Sequence, residues 1–291
     1  MVYLAATALH MTYNKRQNQQ PMGSSRMTSQ SFSKESESRN NRAIILAGGQ
    51  GTRLKPYTTL FPKALVPLDE MPVLELVIRQ LKSYGFTEIT MAVGHLCELI
   101  EAYFGDGRKW GVSIMYARED KPLGTAGPLK AMTDLPENFL VMNADIVSDI
   151  NYRELFDFHC RPQADGAPNL ATIAVYRRTS KIDFGVLEFD ADTHRIQNFI
   201  EKPMLEHSVS MGIYVFNRQV RDFIPEDTFF GFDSLVKTLI RDQGAIQAFP
   251  FNGYWLDIGR VDDYETAVTD FQNMRNVLLP AEAAKPEVLK P

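Results

Sequence analysis

Short apolar runs alternate with amphipathic stretches through the first half of the chain. Residues 43–47 form a continuous apolar run, which is typical of a strand buried on both faces. Residues 73–84 place apolar side chains on one helical face and end at Gly85, so they predict a helix. The same reading predicts strands over 88–93, 112–117 and 139–143 and helices over 96–104 and near 126–132. This alternation favours a parallel sheet that helices cover on both faces.

The second half of the chain is richer in strand-like runs. The pattern predicts strands over 170–177, 184–189, 195–200, 211–216, 246–251 and 254–258, and helices over 232–242 and 260–275. We therefore expect an α/β fold with three layers, α/β/α, in which the central sheet is mostly parallel and the second half is β-rich.

Composition excludes several classes of protein. The 291 residues include 31 Lys and Arg against 36 Asp and Glu, a net charge of −5, so the chain has no basic footprint and we expect no nucleic-acid partner. Two cysteines cannot build a disulfide framework, which favours a reducing, cytoplasmic setting. No apolar window of about 18 residues occurs, so we expect no membrane partner.

The two ends of the sequence differ from the body. Residues 11–42 are rich in Ser, Asn and Gln and offer too little apolar surface to repay the entropy of ordering. We expect residues 1–40 to be a disordered extension, residues 41–278 to form one folded domain, and residues 279–291 to be a tail.

The most specific motif is a glycine-rich loop directly after the first strand. Residues 47–56 read AGGQGTRLKP. A Walker loop would need a Lys-Ser or Lys-Thr pair after the glycines, and a dinucleotide-binding loop would need a third glycine where Leu54 stands. The sequence therefore matches neither type of loop. Arg53 and Lys63 add fixed cations, which suit a triphosphate whose pyrophosphate departs. Open α/β sheets bind ligands at this end of their strands.

Further motifs follow the loop in a fixed order. They are Pro62-Lys63, Leu123-Gly124-Thr125-Ala126-Gly127-Pro128-Leu129, Asn143-Ala144-Asp145, Phe184-Gly185-Val186, Glu201-Lys202-Pro203, Gly212-Ile213-Tyr214 and Trp255-Leu256-Asp257-Ile258-Gly259. Together they resemble the sugar-1-phosphate nucleotidyltransferases, or NDP-sugar pyrophosphorylases, over residues 43 to about 275. The block at 123–129 and the Asp-Phe-His ending at His159 look most like mannose-1-phosphate and heptose-1-phosphate guanylyltransferases. Such relatives often carry a C-terminal β-helix, and we expect none here.

The resemblance implies a Rossmann-like nucleotidyltransferase fold whose β-rich half binds the sugar. It implies attack of a sugar-1-phosphate oxygen on the α-phosphorus of a nucleoside triphosphate, which releases pyrophosphate. GTP with mannose 1-phosphate or heptose 1-phosphate fits best; thymidylyl, uridylyl or adenylyl transfer to glucose 1-phosphate is the alternative. The nucleophile is already ionised at neutral pH, so catalysis rests on positioning and charge neutralisation rather than on a general base.

The same resemblance implies a role for each motif residue. Asp145 and Asp257 would ligate Mg²⁺, which prefers one or two carboxylates together with phosphate oxygens. Arg53 and Lys63 would hold the triphosphate and stabilise the leaving pyrophosphate, and these four residues are the expected catalytic set. The expected NTP-binding residues are Ala47, Gly48, Gly49, Gly51, Thr52, Arg53, Lys63, Gly124, Thr125 and Gly127. The expected sugar-phosphate-binding residues are Gly185, Glu201, Lys202 and Gly212.

One departure from the family pattern concerns the sugar. Where many relatives have Asn-Ala-Gly-Ile-Tyr, this chain has Ser210-Met211-Gly212-Ile213-Tyr214. The serine side chain is shorter, so the sugar preference of those relatives does not transfer to this chain.

Two other classes of protein share part of this pattern. A glycosyltransferase also uses a strand-end aspartate with Mg²⁺, but it does not need cations arranged for a departing pyrophosphate. A regulatory relative would bind a sugar nucleotide without turning it over, yet the charged residues that catalysis needs are all present here. The oligomeric state, monomer or homo-oligomer, is left open.

Overall fold

Thirteen strands and six α-helices build the protein, as a computed structural model describes it over residues 41–119, 121–163 and 166–279. The strands are β1 Arg42–Leu46, β2 Pro67–Leu68, β3 Met71–Pro72, β4 Glu88–Val93, β5 Ser113–Arg118, β6 Asn138–Asn143, β7 Ile146–Ser148, β8 Ala171–Lys181, β9 Val186–Phe189, β10 Ile196–Ile200, β11 Met204–Asn217, β12 Ile246–Phe251 and β13 Trp255–Asp257. The helices are α1 Val73–Ser83, α2 Cys97–Phe104, α3 Gly127–Ala131, α4 Tyr152–His159, α5 Phe232–Arg241 and α6 Val261–Leu278. The predicted N-terminal extension, residues 1–40, lies outside the described residues, as does the predicted tail beyond residue 279.

Seven of these strands form the central sheet, in the order β12-β8-β11-β6-β1-β4-β5. Strand β11 runs antiparallel to both of its neighbours, and every other neighbouring pair in this sheet is parallel. The predicted mostly parallel sheet is thus confirmed. The hydrophobic pattern of β11 carried no information about its direction, because both faces of a central strand are buried whichever way it runs.

Helices cover both faces of the sheet, which confirms the three layers. Neighbouring residues of β1 point to opposite faces, and each joins a different core. Ile45 packs into the core beneath α1, α2 and α4, whereas Ile44 packs into the core beneath α3 and α5. Because both side chains are completely buried, β1 reads as a continuous apolar run in the sequence. A third core lies under α6 and includes Val147 and Phe271.

Helix α4 was not predicted from the sequence. Its apolar stripe consists of Tyr152, Leu155 and Phe156, all of which are buried. Asn151 caps the helix, since its side-chain oxygen accepts hydrogen bonds from the backbone of Arg153 and Glu154, each at 3.0 Å. The missed signal was this asparagine cap followed by apolar residues at helical spacing.

A long hairpin extends beyond the sheet, and we call residues 177–208 the arm. The outer halves of β8 and β11 pair with each other there, and the exposed β9–β10 hairpin lies between them in sequence. Both long strands exceed their predicted lengths, 170–177 and 211–216, because their outer residues are exposed and therefore lack an apolar pattern. The side chain of Phe184 on the arm is 78% exposed.

None of the helices over the described residues combines the length and apolar character needed to cross a bilayer.

His159 is expected to make the protein less stable as the pH falls from 6.5 to about 4. The imidazole is buried, with ring nitrogens 2.9 Å from Thr172 Oγ1 and 3.2 Å from Asn138 Oδ1, and burial lowers its pKa to about 4. Below pH 6.5 the imidazole binds a proton in the unfolded chain but stays neutral in the folded protein. The free energy of unfolding therefore falls by roughly 3 kcal/mol by pH 4. Urea unfolding at a series of pH values would measure this loss.

His159→Gln removes the titrating group, so the pH dependence of unfolding over this range should shrink even if the variant is less stable overall. His207→Gln, which removes an exposed imidazole on the arm, is the control and should keep the wild-type dependence. Equal pH slopes for wild type and His159→Gln would contradict the prediction.

Candidate active site

A cavity of about 580 Å³ opens at the carboxyl ends of β1, β4, β5 and β6. Parallel strands bring the loops that follow them to one edge of the sheet, so residues distant in sequence meet there. The cavity is lined by Leu46, Ala47, Gly48, Gly49, Gly51, Thr52, Arg53, Lys63, Ala64, Ala92, Glu119, Pro122, Gly124, Thr125, Asn143, Ala144, Asp145, Phe229, Gly231, Asp233 and Gly259.

The glycine-rich loop forms the floor of the cavity. The backbone N–H of Ala47 donates to Ala92 O at 2.8 Å, which anchors the loop to the end of β4. Gly51 has a left-handed φ of 60°, and a Cβ there would lie 2.9 Å from the methyl of Thr58. Only glycine meets both requirements without strain, so the loop stays close to Lys63 and leaves the cavity open above it.

The opposite wall comes from two segments that are far apart in sequence. Phe230 O accepts hydrogen bonds from the backbone of Ala126 at 2.9 Å and Gly127 at 3.1 Å, and Thr125 Oγ1 accepts from Phe232 N at 2.9 Å. Gly124 has φ of 79°, and a Cβ there would lie 2.7 Å from Phe230 O. Glycine is therefore required where the two segments meet.

A two-stranded ladder brings Asp145 and Asp257 together. Strand β7, directly after Asp145, pairs antiparallel with β13, and Ile146 lies opposite Asp257. The backbone of Ile258 also donates to Asp145 O at 3.1 Å. The two carboxylates are thus held side by side, although more than a hundred residues separate them in sequence.

Lys63 lies between these carboxylates. Its ammonium forms an ion pair with Asp145 Oδ2 and lies 4.0 Å from Asp257 Oδ1. Burial and the neighbouring carboxylate of Asp145 raise the pKa of Asp257, and the cations Lys63 and Arg53 offset part of that rise. Two adjacent carboxylates, whose negative charge Lys63 and Arg53 offset in part, form a place where a further cation would be stabilised.

The donor set fits a hard divalent cation. Asp145 Oδ1 is buried and has no hydrogen-bond partner, so a good ligand oxygen is left unused beside Asp257. The described residues contain no cluster of three or more His, Cys, Asp or Glu side chains. One or two carboxylates completed by phosphate oxygens is the ligand set that Mg²⁺ takes in phosphoryl-transfer sites, and it is not a set for a structural zinc.

Arg53 lies at the same end of the cavity. A Cβ built on Gly259 would lie 3.6 Å from Arg53 Nη2, so the guanidinium lies against the backbone that follows β13. Arg53 and Lys63 therefore approach the aspartates from the glycine-loop side, and the four expected catalytic residues lie together.

The expected NTP-binding residues also meet at the cavity. Nine of the ten line it directly, and Gly127 is buried just behind Leu123, where a Cβ would lie 2.7 Å from the Leu123 Cβ. Gly127 thus supports the wall and does not face the cavity.

The expected sugar-phosphate-binding residues lie elsewhere in this structure. Glu201 and Lys202 are exposed on the arm, and Gly185 packs against Phe199 and Glu201 in the same arm. Gly212, at an irregularity in the pairing of β11, adjoins Asn143, which does line the cavity. The assignment of these four residues to the sugar phosphate stays a prediction.

Several cavity-lining residues were not predicted. They are Leu46, Ala64, Ala92, Glu119, Pro122, Asn143, Ala144, Phe229, Gly231, Asp233 and Gly259. Most of them adjoin a motif, but Phe229, Gly231 and Asp233 precede or begin α5 and come from a different part of the chain. Their position depends on the hydrogen bonds of Phe230 to the 123–127 loop, which no local pattern encodes.

Comparisons with known proteins show the family to which the chain is similar. The sequence profile of the family described as Nucleotidyl transferase matches residues 42–274. UTP–glucose-1-phosphate uridylyltransferase of Synechocystis is 32% identical and aligns with 85% of this chain and 68% of its own length. Mannose-1-phosphate guanyltransferase of Kluyveromyces lactis is also 32% identical, covering 84% of this chain and 69% of its own.

Two further matches complete the comparison. Mannose-1-phosphate guanyltransferase beta-B of Xenopus laevis is 31% identical, and this chain spans 63% of its length. The crystal structure of HddC from Yersinia pseudotuberculosis has the same fold, with a TM-score of 0.61 at 24% identity, and covers 79% of this chain and 99% of that one. Because the family profile matches most of the sequence and two relatives align over more than two thirds of their lengths, this chain belongs to the nucleotidyl transferase family.

Proposed function

We propose that the protein is a sugar-1-phosphate nucleotidyltransferase that forms an NDP-sugar and pyrophosphate from a nucleoside triphosphate and a sugar 1-phosphate. The observation that carries the proposal is the convergence of Arg53, Lys63 and the Asp145–Asp257 pair at one end of a glycine-floored cavity. Two cations beside two carboxylates suit phosphoryl transfer, in which charge must be held in place rather than a proton removed.

The reaction needs little chemistry from the protein itself. The sugar phosphate oxygen attacks the α-phosphorus, that new P–O bond forms as the bond to the β-phosphate oxygen breaks, and pyrophosphate leaves with its charge. Backbone N–H groups of the glycine loop would hold the triphosphate, and Arg53 and Lys63 would neutralise the departing oxygens. Alignment of nucleophile and leaving group would supply much of the rate.

Asp145 and Asp257 would hold the divalent cation, for which we propose Mg²⁺. The cation, when bound, neutralises phosphate charge and orients the oxygens around phosphorus. Lys63 now compensates the aspartates, so its ammonium would be free to turn toward phosphate once a cation takes over that role.

The names of the relatives suggest two pairs of substrates but do not identify the pair that this chain uses. Their names pair a guanylyl group with mannose 1-phosphate and a uridylyl group with glucose 1-phosphate. GTP with mannose 1-phosphate or heptose 1-phosphate remains our preferred pair. A cytoplasmic location also remains a prediction, drawn from the two cysteines.

The deciding experiment is a matrix of GTP, UTP, ATP, CTP and dTTP against mannose, glucose and heptose 1-phosphates. Pyrophosphate release with Mg²⁺ is the readout, and the NDP-sugar is identified by mass. Release that requires both substrates supports the proposal. No pyrophosphate from any pair, with NDP-sugar consumed when an acceptor sugar is added, would indicate a glycosyltransferase instead; binding without either reaction would indicate a regulatory relative.

Lys202→Ala is expected to raise the KM for sugar 1-phosphate ten- to a hundredfold while the KM for NTP stays the same. A charge-assisted hydrogen bond to phosphate contributes about 1.5–3 kcal/mol, which corresponds to this range. Steady-state kinetics with each substrate varied in turn would measure it. Lys181→Ala removes another exposed lysine of the arm and is the control. If Lys202→Ala weakens NTP as much as sugar phosphate, the two phosphates do not have separate cations.

A further inference from the structure

The pairing that brings Asp257 beside Asp145 is short. Strands β7 and β13 have three residues each and form a two-stranded sheet separate from the central one. A two-stranded ladder is at best marginally stable by itself. A slip of one residue along β13 would turn Asp257 to the opposite face, away from Asp145. The register of β13 therefore needs support from groups outside the ladder.

Tyr254, the residue directly before β13, is held by side chains from two other parts of the chain. The Tyr254 backbone N–H donates to Asp149 Oδ1 at 2.7 Å, and Ser148 Oγ donates to Tyr254 O at 2.8 Å. The phenol of Tyr254 donates to Asp270 Oδ2 on α6 at 2.9 Å. The start of β13 is thus fixed both to the end of β7 and to α6.

Asp149 contacts Tyr254 through both its backbone and its side chain. The backbone N–H of Asp149 donates to Tyr254 O at 3.2 Å, while its carboxylate accepts from Tyr254 N. The side chain thus takes the place of the backbone carbonyl that a longer β7 would present. Because the acceptor is charged, this bond is stronger than an ordinary ladder bond. A Cβ built on Gly253 would overlap Asp149 Oδ1, so the carboxylate lies directly against the turn before β13.

The register that Asp149 supports is the one that assembles the aspartate pair. In this register Ile258 N, next to Asp257, donates to Asp145 O at 3.1 Å. Neither Asp149 nor Tyr254 is among the described residues that line the cavity. Three residues of extended chain, roughly 10 Å, lead from Tyr254 to Asp257, so Asp149 acts on the site through β13 rather than by contact.

We propose that Asp149 is a positioning residue for the Asp145–Asp257 pair. By accepting from Tyr254 N, its carboxylate fixes the register of β13 and so holds Asp257 beside Asp145. Asp149 touches neither substrate nor cation. The inference rests on the proposed function, because it assigns to this pair the binding of the cation used in nucleotidyl transfer.

Two substitutions separate the hydrogen bond from the charge. Asp149→Asn and Asp149→Ala remove the same negative charge, but only asparagine keeps an oxygen that can accept from Tyr254 N. An effect of charge alone would be equal in the two variants, whereas an effect of position should be large in Asp149→Ala and mostly restored in Asp149→Asn. Asp222→Ala, which removes an exposed aspartate side chain outside the cavity, is the control and should match wild type.

Hydrogen exchange measures whether the register of β13 is held. The Ile258 amide donates to Asp145 O, so its exchange rate reports the docking of this segment. Exchange at Ile258 should be at least about tenfold faster in Asp149→Ala, the contribution of a hydrogen bond to a charged group, and less than about fivefold faster in Asp149→Asn. The amide of Ala47, which donates to Ala92 O at 2.8 Å, should keep its rate in every variant, because the effect is local.

Cation binding measures the consequence for the site. Mn²⁺ takes the same oxygen ligands as Mg²⁺, and the loss of its free EPR signal gives its affinity for the full chain without turnover. The Mn²⁺ dissociation constant should rise at least about tenfold in Asp149→Ala and less than about fivefold in Asp149→Asn.

Kinetics distinguish positioning from a general loss of stability. Asp149→Ala should need a correspondingly higher Mg²⁺ concentration for the half-maximal rate, while both substrate KM values at saturating Mg²⁺ stay unchanged. A variant that is only less stable would not show this split. Thermal melts check folding, and Asp149→Ser, whose hydroxyl lies one bond short of the acceptor oxygen, gives the same comparison should Asp149→Ala not fold.

Several results would overturn the inference. They are exchange at Ile258 that Asp149→Ala leaves unchanged, an asparagine variant as impaired as the alanine variant, and Mn²⁺ binding that is absent in wild type or equal in all variants. Failure of the proposed function has a different signature. In that case no nucleotide and sugar phosphate release pyrophosphate, while the changes in Ile258 exchange and in Mn²⁺ affinity still appear.

Discussion

Asp145→Asn and Asp257→Asn are each expected to lower turnover at least about a hundredfold with little change in fold. A cation held by both carboxylates would supply several kcal/mol of charge stabilisation in the transition state, and each 1.36 kcal/mol is a factor of ten in rate. Either substitution leaves a neutral amide that binds Mg²⁺ poorly. Initial rates of pyrophosphate release across a Mg²⁺ titration would show the loss, and EDTA should abolish the activity of wild type.

The control for charge alone is Asp222→Asn, which neutralises an exposed aspartate outside the cavity and should keep full activity. The substitution at Asp145 also takes a partner from Lys63, so melting temperatures must accompany the rates. Full activity of wild type in excess EDTA, or wild-type rates for both aspartate variants, would rule out a metal held by this pair.

Arg53→Ala is expected to reduce kcat by about a hundredfold, with a smaller effect on the KM for NTP. Charge builds up on the pyrophosphate as the bond to the α-phosphate breaks, and a guanidinium fixed beside it stabilises the transition state more than the bound substrate. Removing one such donor typically costs a hundredfold or more in kcat. Lys63→Ala should have a similar effect on kcat, with an added loss of NTP affinity.

Steady-state kinetics with NTP and sugar phosphate varied separately would divide the effect between kcat and KM. Arg108→Ala serves as the control, because Arg108 is exposed beside α2, outside the cavity, and pairs with Asp106. A variant at Arg53 with normal kcat and a raised KM for NTP would mean that the guanidinium only binds the ground state.

The central features of this fold are readable from the sequence wherever burial imposes a local pattern. Strand β1 is apolar because both of its faces are covered, and the loop after it needs glycine at Gly51 for steric reasons. Strands β4 and β12 were predicted with their observed bounds, 88–93 and 246–251. In each case neighbouring residues alone determine the signal.

Features that depend on distant segments were not readable. The pairing of β7 with β13, which brings Asp257 to Asp145, was not predicted, because a strand was expected over 254–258 but three-residue β7 is too short for a periodic pattern. The wall that contains Phe229 depends on hydrogen bonds between two loops. The arm was only partly predicted, because its exposed strands pair through their backbones and their sequences carry no hydrophobic pattern.

The β7–β13 ladder also determines when the site is completed during synthesis. Asp145 leaves the ribosome with its strand, but Asp257 follows more than a hundred residues later, a delay of roughly five to twenty seconds at ordinary rates of translation. Until then β7 has no partner. The side-chain amide of Gln80 donates both to Ser148 O at 2.9 Å and to Leu278 O at 2.6 Å, so it joins β7 to the last turn of α6. A nascent chain that stops short of α6 therefore lacks this tie, and the Asp145–Asp257 pair is among the last parts of the molecule to form.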